Sequence, residues 1–511
     1  MANSAPGVYV NVTANASNSQ GVNPTGQWFV LGNAAGPTGV AITVSSMSDF
    51  TTYFGQFVGG KLTGRYSVTP NSVNLDSTLL YDALDVYFKE GGIVANVSVL
   101  GAATGATRAT AALGTNSFTT VSGGTWANSS SSSAAGLIIK FTNTTVNSVA
   151  TYAASIVLNG VLLAASPKFE ATNAELSLNN WVNSLPIVKS LCTVSTVAGS
   201  TALPTANSTT SIYFASGTDA ATADTDVPNA LVAFSTSFGP GQVSYPGAST
   251  QAVYAALTNH ASANNRVALL DVNPSSSVSA LIASVQTLQS SGADTSYAAI
   301  FGPALAVPGA TAGFARTVPA TSLAAALMAK VDTKYDANVA AAGSANGTSV
   351  YSTGVVRSYS ADDRGLLNSA GINVVRLVPT TGNISVYGYR SLDTTGNWTF
   401  LNNVRFRMQL QSEFETSGEA FMFKQIDGRG QLISQFNSAL AAICQGHWIK
   451  GSLYGPTPEA SYIVNTGIQV NTPATIAGGQ LNANVSLKMS PFGEFITINV
   501  TKFLANATLP L

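Results

Sequence analysis

Apolar positions along this chain recur with two periods, and the switches between them divide it. Val8, Val10 and Val12 alternate with polar residues and Tyr9, the two-residue repeat of a short strand, and a mobile Asn/Ser/Ala-rich tether follows. Residues 28–32 read as an apolar strand. Residues 47–54 and 79–88 have helical spacing, with Leu80, Leu84 and Phe88 four apart, and Gly91-Gly92 leads into a strand at 94–100. Between about 227 and 378, helices expected at 251–261, 277–288 and around 322–328 alternate with strands at 266–272, 296–301 and 372–378. Ser360 is placed to cap a further helix whose first turn carries Asp362 and Asp363, and Gly371 ends it. Strand–helix alternation of this kind predicts a doubly wound α/β sheet.

The last fifth of the chain changes texture. Phe406, Leu410 and Phe414 share one helical face, and Leu432, Phe436, Leu440 and Cys444 share another, with Gly446 the expected stop. Residues 481–489 then alternate as a strand. A Ser-Pro-Phe-Gly turn leads to a second strand at 494–501, with Ile496, Ile498 and Val500 on one face and Phe495 beside them. This predicts an α+β module. From about 101 to 226 the chain is rich in Ser, Thr, Ala and Asn. Short β-prone pieces at 137–141, 155–163, 188–194 and 211–214 suggest a small, protruding all-β insertion. The expected division is an N-terminal strand arm and linker (1–20), an α/β part (21–100), the insertion (101–226), an α/β domain (227–390) and a C-terminal domain ending in a strand arm (391–511).

Composition sharpens the picture by exclusion. Of 511 residues only 9% are charged, against about a quarter in an average domain, and the net charge is −1. No field is present to draw in nucleic acid or an anionic membrane. So weakly charged a surface is poorly protected against self-association, a liability for a free enzyme but expected of a subunit made to polymerise. Two isolated cysteines, Cys192 and Cys444, make no disulfide framework. No basic segment precedes an apolar run at the N-terminus, and the best apolar run, 153–165, is too short to span a bilayer. The chain is expected to be soluble and intracellular when made.

Candidate chemistry is sparse. Gly55-Gln56-Phe57-Val58-Gly59-Gly60-Lys61 approaches a phosphate-binding loop, but Leu62 stands where that loop needs Ser or Thr, so a surface turn is expected. Asp271 ends a strand, where Asn273-Pro274-Ser275 favours a loop-and-cap role over a ligand. His260 and His447 lie far apart; His447 is expected just beyond a helix end, capping carbonyls. No metal-ligand spacing and no Asp-His-Ser arrangement is seen, and neither a catalytic site nor a cofactor is expected. Charge does concentrate between Arg405 and Lys450. Arg405, Arg407, Lys424, Arg429 and Lys450 are therefore candidates for contacts with a partner.

Several stretches, in order, resemble the contractile tail sheath proteins of bacteriophages and related injection particles. At the start stands Ser4-Ala5-Pro6-Gly7-Val8-Tyr9-Val10. In the middle are Arg266-Val267-Ala268-Leu269-Leu270-Asp271 and Leu367-Asn368-Ser369-Ala370-Gly371-Ile372-Asn373. Near the end come Asn402-Asn403-Val404-Arg405, Gly451-Ser452-Leu453-Tyr454-Gly455 and Pro491-Phe492-Gly493-Glu494-Phe495-Ile496. The resemblance covers roughly 1–100 and 230–505 and leaves the insertion unmatched. It implies a subtilisin-like α/β middle domain without a catalytic triad, and a subunit that polymerises helically around an inner tail tube and contracts. It implies strand arms shared between subunits, matched here by Val8, Tyr9, Val10 and Val12 and by Phe495, Ile496, Ile498 and Val500. It also implies tube, baseplate and tail terminator proteins as partners, no nucleic acid, no direct membrane insertion, no cofactor, and a place in a virion tail assembled in the host cytoplasm. The alternatives are an α/β enzyme or ligand-binding protein, or a tube or capsid subunit.

Overall fold

The computed structural model describes residues 24–495 apart from 55–56, 59–60, 63–76, 103, 115, 134, 171–172, 196–202 and 310–314. Its frame is an eight-stranded sheet. In chain order the strands are β1 (Trp28–Gly32), β2 (Ala41–Val44), β3 (Ala95–Val99), β4 (Gly241–Ser244), β5 (Arg266–Asp271), β6 (Ala298–Gly302), β7 (Ile372–Val378) and β8 (Asn383–Val386). In space they run β2-β3-β1-β4-β5-β6-β7-β8. Every pairing from β3 to β7 is parallel, while β2 and β8 close the two edges antiparallel. Parallel strands are covered on both faces, which is why β1, β3, β5 and β6 are buried at every residue. Strand order reverses between β1 and β4, as in a doubly wound sheet.

Several of the connecting helices start where short polar side chains accept free backbone N–H groups. They are α1 (Met47–Phe54), α2 (Ser77–Lys89), α3 (Gln251–Ala263), α4 (Val278–Gln289), α5 (Ala320–Lys334) and α6 (Ala361–Ser369). Thr250 caps α3 and Ser277 caps α4. Ser360 and Asp363 form a reciprocal capping box at α6, and Gly371 takes the left-handed turn beyond it (φ 80°). Rich in alanine, α5 is buried on nearly every side and packs on β5, β6 and α2. The near phosphate-binding loop lies partly outside the described residues; its described part is a two-stranded hairpin, Phe57–Val58 with Lys61–Leu62.

Between β3 and β4 the chain builds a second hydrophobic core around Phe118, Trp126, Phe141, Ile156, Trp181 and Phe214. Its longest element is a hairpin of Leu137–Val146 with Val149–Leu158, turned at Asn147 and Ser148 with φ of 50° and 65°, the sign a tight two-residue hairpin requires. This region is not all-β. Ala174–Ser184 is a helix that buries Leu178, Trp181 and Val182, and of the strand expected at 188–194 the first part is a helical turn, Pro186–Lys189, and the second a strand, Cys192–Ser195. The 178/181/182 spacing is a helical one, hidden in sequence by the surrounding Ser, Thr and Asn.

The C-terminal region contains α7 (Leu401–Glu419), α8 (Gln431–Ile449) and a ribbon of β9 (Tyr462–Asn465) with β10 (Asn484–Leu487). Leu401, Val404 and Met408 of α7 belong to the main core. Phe406 and Leu410 belong to a small separate cluster with Cys444 and Leu453. The expected stop at Gly446 is wrong: α8 continues to Ile449, and Gly451 ends it (φ 81°). There Ser452 N–H donates to the His447 carbonyl and Gly451 N–H to that of Trp448, the paired bonds of a Schellman cap. The strand expected at 481–489 shortens to β10.

Candidate interaction site

In doubly wound sheets ligands gather where strand order reverses, beyond the C-terminal strand ends. Here the chain itself covers that place. Thr222 Oγ1 donates to Asn33 Oδ1 just after β1 (3.0 Å), and Ser98 Oγ of β3 donates to the Ala230 carbonyl (2.9 Å). Asp271, at the end of β5, is buried and already engaged. It accepts N–H groups from Gly247 (2.8 Å) and Thr321 (3.0 Å) and the Thr321 hydroxyl (2.6 Å). Burial raises its pKa to about 6. It therefore ties the first turn of α5 to β5, a capping role toward α5.

The charged residues of the C-terminal region divide into an internal and an external set. Arg405 and Arg407 were expected to face partners, and burial overturns that. Arg405 is fully buried, ion-paired with Asp332 of α5 and 3.1 Å from the Tyr389 hydroxyl. Asp332 also accepts the Thr25 hydroxyl at 2.6 Å. Arg407 is buried between the rings of Tyr297 and Trp398, 4.1 and 4.2 Å from their centroids, a desolvated stacking position in which burial lowers its pKa. Both lie on the half of α7 that packs into the sheet domain, where no partner can reach them.

His447 also belongs inside. It does not cap carbonyls beyond a helix but sits within α8, buried, with Nδ1 2.8 Å from Asp336 and Nε2 2.6 Å from Glu413. Burial alone would lower its pKa; bonds to two carboxylates raise it to about 9. His260 is the opposite case. Burial and neighbouring Arg266 push it down to about 3, and its neutral Nε2 lies 2.8 Å from the Arg266 guanidinium.

Asp336 begins a polar junction just after α5. Ala337 N–H donates to Gln409 Oε1 (3.2 Å), and Asn402 Nδ2 donates to the Asn338 carbonyl (3.0 Å). Asn338 Nδ2 in turn donates to the carbonyls of Ser452 (3.0 Å) and Ser490 (3.2 Å). Four separate stretches of chain meet at these three residues.

Lys424, Arg429 and Lys450 are exposed. Lys424 stands beside Phe423, which is 87% exposed at φ 59°, a backbone region bulky residues rarely adopt. Asp427 accepts N–H groups from Arg429, Gln431 and Leu432 and so caps α8. At the other end of the region Glu494 is clamped by Arg390, Nε at 2.8 Å and Nη2 at 2.6 Å, and by Asn368 at 3.1 Å. Phe495 follows, 77% exposed. Val8, Tyr9, Val10, Val12, Ile496, Ile498 and Val500 lie outside the described residues. Among the described residues β10 pairs with β9 alone along its own length, and just beyond it Met489 bridges to Leu453.

No family model and no curated relative matches this chain. Solved structures do. The chain aligns over 98% of its length with 98% of a chain in the contracted sheath complex of an extracellular contractile injection system, PVC, at TM-score 0.54 and 15% identity. It aligns over 98% with 99% of a chain in the contracted helical sheath of the anti-feeding prophage, at TM-score 0.53 and 16% identity. The sheath tail protein of Listeria innocua covers 88% of this chain and 90% of its own, at TM-score 0.54 and 12% identity. The chain has the fold of contractile sheath proteins. That sheath fold spans nearly the whole chain, so 101–226, which the sequence resemblance left unmatched, falls within its span. Among the described residues, none of the His, Cys, Asp and Glu side chains group as metal ligands, and no helix is long and apolar enough to cross a membrane.

Proposed function

We propose that this chain is the structural subunit of a contractile sheath: copies polymerise helically around an inner tube and shorten together. The observation that carries this reading is the end-to-end likeness to sheath chains in assembled particles, across nearly the full length of both. The internal use of Asp271, Arg405, Arg407 and both histidines favours a structural protein over an enzyme. We read the sheet as a subtilisin-like scaffold without a triad. The work of contraction then comes from the free-energy difference between two packings of the same subunits, with no cofactor.

The edge of β10 away from β9 would receive a strand from a neighbouring copy, since unpaired backbone groups recruit further strands. The arms at Val8–Val12 and 494–501 would supply such strands. Lys424, Arg429 and Lys450 would face the tube or an adjacent copy, with baseplate and terminator proteins at the ends of the array. The particle would be a virion tail or related device assembled in the host cytoplasm, and 101–226 would protrude from it. The test is to purify the full chain and image it by negative-stain electron microscopy. Tubular polymers are expected. Discrete particles whose melting responds to small molecules would overturn the reading in favour of a ligand-binding protein or enzyme.

A further inference from the structure

His447 joins three parts of the molecule that are distant in sequence. It stands on α8; Glu413 is on α7; Asp336 follows α5 and so belongs to the sheet domain. A charged imidazolium donates both N–H groups, one to each carboxylate, whereas a neutral ring has one donor and must leave one bond unmade. Such a contact matters as a device only if it can open without unfolding the core. Here it can. Glu413 keeps a third of its side chain exposed, and a cavity of about 550 Å³ adjoins the contact, walled by Phe238, Pro240, Thr416, Ile443 and Lys450. Space is therefore present on the side toward which Glu413 and the end of α8 would move.

The other groups around the ring are consistent with one proton controlling it. The ring edge of Phe406 on α7 packs against it, 4.9 Å between centroids. Lys450, one turn on along α8, has Nζ 4.0 Å from Asp336. Cys444 on the same helix is buried, its thiol raised to about 11. Asp332, one turn before Asp336, is occupied by Arg405 and Thr25. The residues 238–240 that wall the cavity contribute no titratable side chain.

We propose that His447 is a proton-operated clasp: charged, it fixes α8 to α7 and to the sheet domain, and on losing its proton it lets α8 shift into the adjoining cavity while α7 stays anchored in the main core and the chain stays folded. The sign follows from its raised pKa. The clasp is complete below the ordinary histidine value of about 6.5, persists at neutral pH, and is lost as pH rises through about 9.

With two histidines in the chain, selective ¹³C labelling of the full-length protein reports each ring. One signal should titrate near pH 9 and disappear in His447→Gln. At the same midpoint the emission of Trp448 should shift, read as the difference from a Trp448→Phe chain, with far-ultraviolet circular dichroism unchanged. Glu413→Gln, at a partly exposed position, should lower the midpoint toward neutrality and keeps the test valid if His447→Gln fails to fold. A His447 ring already neutral at pH 7, a Trp448 signal unmoved through its titration, or a midpoint unchanged in Glu413→Gln would each overturn the proposal. None of these outcomes depends on whether the chain forms tubes.

Discussion

The sheet domain and the C-terminal helical pair hold themselves together by different chemistry. The first is a continuous apolar core in which β1, β5 and β6 are buried at every position and α5 packs across β5 and β6. The second has a fully buried cluster of only Phe406, Leu410, Cys444 and Leu453. It is joined to the first by Leu401, Val404 and Met408 at the start of α7, and beyond them by an ion pair, a histidine and the junction at Asp336–Asn338. Burial of apolar surface is non-directional, so it stabilises a docked helix without fixing how far it slides or rotates. Hydrogen bonds and ion pairs fix both, and they break when geometry changes. The sheet domain is thus suited to remain one body, and α8 to hold a defined but changeable position on it.

The sharpest way to break this comparison is at the buried ion pair. Replacing Arg405 by Met strands Asp332 in the interior and should cost about 3–5 kcal/mol in urea unfolding. Changing Asp332 to Leu as well should restore much of that loss, because the charge then has no need of a partner. Next in size is the apolar core itself: Leu269→Ala should cost about 3 kcal/mol, and Leu453→Ala in the small cluster about 2 kcal/mol or less, since its surroundings can relax toward solvent.

The histidines sharpen the contrast through pH. His447, with its pKa raised, contributes stability that is full below about 6.5 and lost as pH rises through about 9. His260, with its pKa lowered, contributes stability that is present above about 6.5 and lost as pH falls toward about 3. His447→Gln should flatten the alkaline limb of a melting-temperature profile and His260→Gln the acid limb, each by an amount on the order of 2 kcal/mol. Smallest is Glu494→Gln, which weakens a partly exposed pair with Arg390 and should cost roughly 1 kcal/mol or less, measured as a small fall in melting temperature at low salt.

Much of this fold is legible in the sequence where the signal is local. Met47–Phe54 and Ile372–Val378 follow from spacing alone, and the cap at Ser360 from the residue type before an acidic first turn; the return bond from Asp363 is added by the structure. The failures share one cause, which is dependence on distant partners. Arg405 reads as a surface cation until Asp332, 73 positions away, is placed beside it. His447 reads as a cap until Asp336 and Glu413 close on it from two other elements. Gly446 reads as a stop because intrinsic propensity disfavours it in a helix, yet the bonds made by His447 and the cap at Gly451 carry α8 past it. The charge cluster stands out in so neutral a chain, but sequence alone does not say which of its members point inward.

The two antiparallel edge strands have a mechanical meaning. β2 and β8 are each four residues long and end the large sheet on both sides, each locked antiparallel onto a parallel block of six strands. The ribbon of β9 and β10, also four residues per strand, is the thinner element. When stiff and soft elements are linked in series, extension collects in the softest of them. Were copies joined through these ribbons, as proposed above, load would displace the ribbons more than the sheets.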